Sequence, residues 1–181
     1  KDNVALALAV CKHLGIDRET ALKGMYVAIP DTGALMAYRV EAFQKHLVFY
    51  NAFAANDPDS TFLVWQKIRD ELGFESLRIV LLNTRQDRLY RADQLAEMAG
   101  KKINDETDYL MLIGQSTDVV ETMAIKYGVD KKKILNLGYT TPEKVFEQVL
   151  SLTEKTSTII AIGNMGGMGA ETAEFFKHRS L

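Results

Sequence analysis

The 181 residues, of which 47% are hydrophobic and 9% aromatic, suffice for one medium-sized domain whose core needs no metal or disulfide cross-links. Its 22 basic and 24 acidic residues are interspersed and leave a formal net charge of −2, so no basic stripe indicates a nucleic-acid partner. The single cysteine, Cys11, excludes a disulfide framework within the chain, and every apolar run is well short of the roughly 20 residues that span a bilayer.

The N-terminal part of the chain is predicted to be a short helical extension, residues 1–30. Apolar residues at helical spacing predict a helix over 2–14, and Asp17 is expected to cap a second helix directly after it. The chain begins KDNVALALAV without an initiator methionine, so we expect this helix to belong to a longer protein. The segment AIPDTGAL is an irregular linker, which places the boundary of the main domain, 31–181, near Pro30.

In the main domain, strand patterns alternate with helical patterns. Strands are predicted at 37–43, 46–50, 77–82, 109–113, 133–137 and 157–162. Helices are predicted at 59–72, 90–102, 117–127, 142–153 and 169–178, with caps from Asp57 or Asp59, Ser116 or Thr117, and Thr141. Near-continuous apolar strands between amphipathic helices predict a mostly parallel, Rossmann-like α/β sheet with helices on both faces. The first two strands are separated by two residues and predict an antiparallel hairpin at one edge.

Four polar or glycine-rich segments follow predicted strands. They are NAFAANDPDS at 51–60, NTRQDR at 83–88, GQSTD at 114–118 and GNMGGMGAE at 163–171. Ligands of an open parallel sheet bind outside the carboxyl ends of its strands, so these loops are expected to share one rim that binds a ligand.

The segment NTRQDR carries two arginines that flank an aspartate. A guanidinium group can bind a carboxylate or phosphate through two parallel hydrogen bonds, and Asp87 could orient Arg85 or Arg88 for this purpose. The alternative is a surface loop whose Asp87 caps the next helix.

The glycine-rich segment resembles a turn that opens a helix and lets backbone amides approach an anion, although a simple tight turn is the alternative. Only 12 residues follow Gly169, so the acidic residue of a dinucleotide site is missing and a dehydrogenase is disfavoured. A GxxxxGK[ST] phosphate loop is absent from the sequence, and its histidines lack metal-ligand spacing. From the residues alone, the chain has a binding rim without catalytic groups of its own.

The motifs together are similar to those of one enzyme family. DNVALALAVCKHLGIDRETALKGM, PDTGALMAYRV, FYNAFAANDPDST, NTRQDR, LIGQST and AIGNMGG occur in the order found in that family. This chain resembles the ligase subunit of poly-γ-glutamate synthase, a member of the Mur ligase superfamily, from Asp2 to about Phe176.

The resemblance implies an ATP-dependent amide ligase as part of a longer chain. Residues 1–30 would end a central ATPase domain, and 31–181 would be the Rossmann-like C-terminal domain. ATP would phosphorylate the acceptor carboxylate, and the amine of an incoming glutamate would attack the acyl phosphate to form a γ-glutamyl amide. The ligands of Mg²⁺ are expected mainly in the ATPase domain, so this fragment alone would be inactive and would hold no metal or catalytic residue.

The resemblance also implies roles for individual residues. Nucleotide binding would involve Arg39, Asn51, Asn56 and Asp57, and Asn51 stands where the superfamily usually has an aspartate for the ribose. Binding of the incoming amino acid would involve Arg85, Asp87, Arg88, Gly163 and Asn164.

The partners implied are glutamate, the poly-γ-glutamate acceptor and membrane subunits of the synthase. The protein is expected to be cytoplasmic and peripheral at the inner face of the cell membrane, without nucleic acid or a transmembrane segment here. The alternative hypothesis is a free-standing module that binds a nucleotide or an amino acid without catalysis.

Overall fold

The computed structural model describes residues 2–27, 35–55, 57–75 and 77–181. The chain divides into two compact units, Lys1–Thr32 and Gly33–Leu181, and the predicted boundary at Pro30 falls outside the described residues. Across the described ranges, every helix is too short or too polar to cross a membrane.

The N-terminal unit contains two helices, α1 (Asp2–His13) and α2 (Arg18–Val27). The predicted cap is confirmed, because Oδ1 of Asp17 accepts a hydrogen bond from the amide of Thr20 at 3.0 Å. Hydrogen bonds from the side chain and the amide of Thr20 also lower the pKa of the Asp17 carboxyl.

The second unit is built on one six-stranded sheet. Its strands are β1 (Met36–Ala42), β2 (Lys45–Asn51), β3 (Leu77–Thr84), β4 (Tyr109–Gly114), β5 (Ile134–Gly138) and β6 (Thr156–Gly163). Their order in the sheet is β1-β2-β6-β3-β4-β5. The β1–β2 pair is antiparallel and all other pairs are parallel, which confirms both the parallel sheet and the edge hairpin predicted from the sequence.

Helices cover both faces of the sheet, as predicted. One face packs against α3 (Pro58–Lys67), α4 (Leu89–Met98) and α5 (Thr117–Lys126), and the other against α6 (Pro142–Leu152) and α7 (Met168–Lys177). The strands supply both cores by alternation, since Val80 and Leu82 of β3 face the first group while Ile79 and Leu81 face the second.

Of the three helix caps predicted in the main domain, two are confirmed and one is wrong. The Asp57 carboxylate caps α3, and the Thr141 hydroxyl caps α6 by accepting from the amide three residues on. The prediction for α5 is wrong, because Thr117 is already helical and the Ser116 side chain makes no capping hydrogen bond. Ser116 has a left-handed backbone with φ of 57°, a conformation that sequence patterns for caps do not reveal.

The order of strands creates a switch point beside β3. From β3 the chain crosses to β4 and β5 through helices on one face, then returns through α6 on the other face to β6, which lies on the opposite side of β3. The loops that follow β3 and β6 therefore diverge to opposite faces. Such a point leaves a crevice at the carboxyl ends of the strands, where open α/β sheets bind their ligands.

Candidate functional site

A cleft of about 340 Å³ opens at this switch point. It is lined by residues 83–85 after β3, Gly114 and Gln115 after β4, Tyr139 after β5 and residues 166–168 after β6. Its volume lies at the lower end of the range for small-molecule sites. Three of the four predicted rim loops thus meet at one cleft.

Arg85, which lines the cleft, forms a two-pronged ion pair with Asp87. Nε and Nη2 of Arg85 donate to Oδ1 and Oδ2 of Asp87, both at 3.0 Å. Nε of Arg88 lies 3.7 Å from the same carboxylate. Asp87 therefore holds Arg85, whereas the alternative prediction that it caps the next helix is wrong, since no side chain caps α4.

The Nη1 atom of Arg85 lies against the glycine-rich loop. A Cβ atom added at Gly166 would come 2.9 Å from Nη1 of Arg85, so the guanidinium group passes directly over this glycine. Gly167, with φ of 67°, is the N-cap of α7, whose first-turn amides have no partners within the helix. A guanidinium group and a helix N-terminus on one cleft together favour a bound carboxylate or phosphate.

Gly163 and Asn164 lie behind the wall of the cleft. Gly163 pairs in register with Asn83 of β3, and its φ of 94° is a conformation that suits glycine. The amide of Asn164 donates to the carbonyl of Asn83 at 3.1 Å. Both residues support the loop that faces Arg85 without lining the cleft themselves, and their role in substrate binding stays a prediction.

Sequence reasoning placed Asn83 and Thr84 in a rim segment without giving either a role of its own, and it missed Tyr139. Asn83 is only 1% exposed, and its Nδ2 donates to the carbonyls of Asn164 at 2.6 Å and Gly166 at 3.2 Å. Thr84 ties β3 to the next loop, because its hydroxyl donates to the carbonyl of Gln115 at 2.5 Å. An amide directly after the apolar run LRIVLL was the available signal for Asn83. The segment that contains Tyr139 is neither charged nor glycine-rich, so the sequence offered no signal for this residue.

The predicted nucleotide residues lie apart from this cleft. Asn51 ends β2 beside β6, is 6% exposed, and accepts a hydrogen bond from the amide of Phe53 at 3.4 Å. Asp57 is engaged at the start of α3, where its Oδ1 accepts from the amide of Ser60 at 2.9 Å. Asn56 lies outside the described residues.

Arg39 occupies a different part of the sheet. It lies in the middle of β1, paired with Val48, and borders a separate depression of about 270 Å³. That depression also includes His46 and Thr156, which begin or nearly begin their strands, so it faces the amino ends of β2 and β6. The structure therefore does not bring Arg39 together with Arg85, and its nucleotide role stays a prediction.

A metal ion in a protein needs several ligand side chains that lie close together. Over the described ranges, no group of three or more His, Cys, Asp or Glu side chains is arranged to hold an ion. The Asp87 carboxylate is engaged by the cleft residue Arg85. These residues do not fit a Mg²⁺ site.

Residues 37–179 match the family described as the poly-gamma-glutamate synthase CapB C-terminal domain. The chain belongs to this family. The capsule biosynthesis protein CapB of Bacillus anthracis is 37% identical over 168 residues, which are 92% of this chain and 35% of that protein. The PGA synthase CapB of Bacillus subtilis (strain 168) is 34% identical over 167 residues, again 92% of this chain and 42% of that protein. The chain thus spans less than half the length of these relatives.

Solved structures of Mur ligases share the fold. MurF from Acinetobacter baumannii superposes with a TM-score of 0.64 at 15% identity, covering 97% of this chain and 37% of that one. MurF from Thermotoga maritima, in complex with ADP, gives a TM-score of 0.58 at 16% identity, covering 98% of this chain and 37% of that one. The predicted Mur-ligase-like fold is confirmed, and at this identity the likeness concerns the fold alone.

Proposed function

We propose that this chain is the substrate-binding C-terminal domain of an ATP-dependent amide ligase that extends poly-γ-glutamate. The observation that carries the proposal is Arg85, held by Asp87 and laid over Gly166 at the N-terminus of α7. This arrangement offers one charged donor group and the first-turn amides to a carboxylate, and the incoming glutamate carries two carboxylates. Family membership supports the assignment to poly-γ-glutamate synthesis.

The domain assignment belongs to the same proposal. Residues 1–30 would end a central ATPase domain, and residues 31–181 would close over ATP bound there. Support for a nucleotide comes from the ADP complex of a MurF ligase with the same fold. Arg39, Asn51, Asn56 and Asp57 would then contact the nucleotide after closure, since they do not line the cleft of this domain.

The reaction proposed has two steps. The acceptor carboxylate takes the terminal phosphoryl group of ATP, which yields an acyl phosphate and ADP. The neutral amine of glutamate then attacks the acyl carbon, so that a C–N bond forms, the C–O bond to phosphate breaks, and the nitrogen loses a proton to solvent. This domain contributes by position: Arg85 and the α7 amides hold a carboxylate of the incoming glutamate so that its amine faces the acyl carbon. Arg88, whose Nε lies 3.7 Å from the Asp87 carboxylate, adds positive charge to the same carboxylate-binding group.

The test is glutamate-dependent ADP release by the full-length protein. Arg85→Ala should abolish this release while ATP binding is kept, because the lost contact is to glutamate. The matched control is Arg78→Ala, which removes a similar pair with Asp108 (Nε–Oδ2 3.1 Å, Nη2–Oδ1 3.2 Å) from the opposite end of β3. Unchanged turnover in Arg85→Ala, or equal loss in both variants, would contradict the assignment.

Membrane-embedded partner subunits and a position at the inner face of the cell membrane are further parts of the proposal, which the family resemblance implies. Fractionation of cells with and without the other synthase subunits checks them. If the full-length protein releases no ADP while this chain binds glutamate, the domain is a binding module instead.

A further inference from the structure

We infer that Asn83 is the positioning residue of the cleft: it fixes the glycine-rich loop so that Gly166 lies under Arg85 and α7 begins at the cleft. The inference rests on the proposed function for the identity of the ligand, a carboxylate of glutamate. Its structural part concerns the loop alone and can be tested without any ligand.

The hydrogen bonds of Asn83 join β3 to the loop after β6. Its backbone carbonyl accepts from the amide of Asn164, and its Nδ2 donates to the carbonyls of Asn164 and Gly166. One residue of β3 therefore holds three backbone groups of the loop after β6. Because Asn83 is 1% exposed, water cannot readily replace these bonds.

Two glycines leave room for the side-chain amide of Asn83, and a third leaves room for its backbone carbonyl. A Cβ atom at Gly114 would come 2.7 Å from Oδ1 of Asn83, and one at Gly169 would come 2.8 Å from its Nδ2. A Cβ atom at Gly163 would collide with its backbone carbonyl. Segments from β4, β6 and α7 are thus shaped around Asn83, so the side chain is a fitted part of the cleft floor.

Only an amide satisfies this position. Both partners of Nδ2 are carbonyl oxygens, which need a donor, and a carboxylate of the same shape has none. Aspartate would place its lone pairs against the two carbonyls and push the loop away from β3. Because Gly166 and the N-cap Gly167 belong to that loop, their displacement would separate the α7 amides from Arg85. Asn83 therefore affects the ligand only by positioning the loop, because both hydrogen bonds of its Nδ2 go to backbone carbonyls.

The decisive variant is Asn83→Asp in the full-length protein. We expect the KM for glutamate to rise by about tenfold or more, since a buried hydrogen-bonding group left without its partner has a cost of that order. The KM for ATP should stay within about twofold, because the predicted nucleotide residues lie elsewhere. D- and L-glutamate are both assayed as substrates.

The matched control is Thr153→Val. Thr153 is equally buried, at 1% exposure; its hydroxyl donates to the carbonyl of Val149 at 2.8 Å and lies 2.9 Å from Oγ of Ser157. It lies before β6, at the amino edge of the sheet away from the cleft. This variant should lose stability and keep the wild-type KM for glutamate. An unchanged glutamate KM in Asn83→Asp, or an equal rise in the control, would overturn the inference.

Hydrogen exchange separates this inference from the proposed function. In Asn83→Asp the amides of residues 164–170 should exchange faster than in the wild type, while those of β4 and α5 keep their rates. If the wild type shows no glutamate-dependent ADP release, the proposed function fails, and faster loop exchange still supports the role of Asn83. Unchanged exchange of the loop would overturn that role whatever the activity.

Discussion

Nη1 of Arg85 and the backbone of Gly166 approach so closely that a methyl group on the glycine would lie 2.9 Å from the nitrogen. The two residues are 81 positions apart in the chain, on the loops after β3 and β6. Their approach is possible because the switch point makes these loops neighbours at the carboxyl edge of the sheet. Each side of the contact is held by a different residue, Arg85 by Asp87 and the loop by Asn83.

Removal of the Asp87 charge tests how Arg85 is held. Asp87→Asn breaks the two-pronged pair, so the guanidinium group loses its fixed orientation over the cleft. Because both side chains are about half exposed, the pair contributes about 1 kcal/mol at most, and we expect the KM for glutamate to rise by about fivefold with little change in Tm. Steady-state kinetics and thermal unfolding measure both quantities.

Asp108→Asn is the control for that variant. Oδ2 of Asp108 accepts from the amide of Arg78 at 2.8 Å as well as from its side chain, and the pair is more buried. This change should lower Tm and leave the KM for glutamate unaltered. The role of Asp87 is refuted if its variant keeps the wild-type KM.

Alanine at Gly166 and alanine at Gly169 should have different effects, one on glutamate binding and one on stability. Gly166→Ala displaces only the tip of Arg85, a flexible group, so the fold should persist while the KM for glutamate rises. Gly169→Ala meets the backbone carbonyl of Asn164, which cannot move freely, and we expect the free energy of unfolding to fall by roughly 1–3 kcal/mol. Chemical denaturation and kinetics on both variants check this contrast, and the reverse pattern would contradict the geometry.

The scaffold was largely predictable because its signals are local. A short, β-branched apolar run such as LRIVLL between helical patterns is typical of a central strand covered by helices, and the short gap between 43 and 46 favours a hairpin. Caps of the Asp57 and Thr141 type are also local, since donor and acceptor lie three residues apart. The cap predicted for α5 is absent because Ser116 has a left-handed backbone conformation, which its residue type alone does not determine.

The sequence predicted which loops form the candidate site, but it did not predict which residues of those loops contact one another. Arginines at a strand end identified one wall of the cleft, but Asn83 binds residues 81 and 83 positions away, a relation that only the strand order creates. The position of Arg39 in the sheet could not be predicted for the same reason. The family resemblance implies a role near the nucleotide phosphates, and the antiparallel register of β1 places Arg39 opposite Val48, in the middle of the strand.

Variants of Asp57 can separate its two predicted roles, the cap of α3 and a contact to the nucleotide. Its carboxylate caps α3, and hydrogen bonds from the amide and the hydroxyl of Ser60 lower the pKa of this carboxyl below its ordinary value of 3.8. Asp57→Ala should lower the free energy of unfolding by about 1 kcal/mol, the usual cost of a lost N-cap. Asp57→Asn keeps a capping acceptor and should cost less.

The pH dependence of this effect has a definite sign. Because the folded-state pKa of Asp57 is depressed, the charged form stabilises the fold fully above the unfolded-state pKa, and this stabilisation is lost as pH falls through the lower folded-state pKa. The stability difference between wild type and Asp57→Ala should therefore be constant near neutral pH and shrink below about pH 4. Urea unfolding across that range measures it. A rise in the KM for ATP in Asp57→Asn, where the cap is kept, would add a nucleotide contact to the capping role, whereas a stability loss without any change in that KM would leave the cap as its only function.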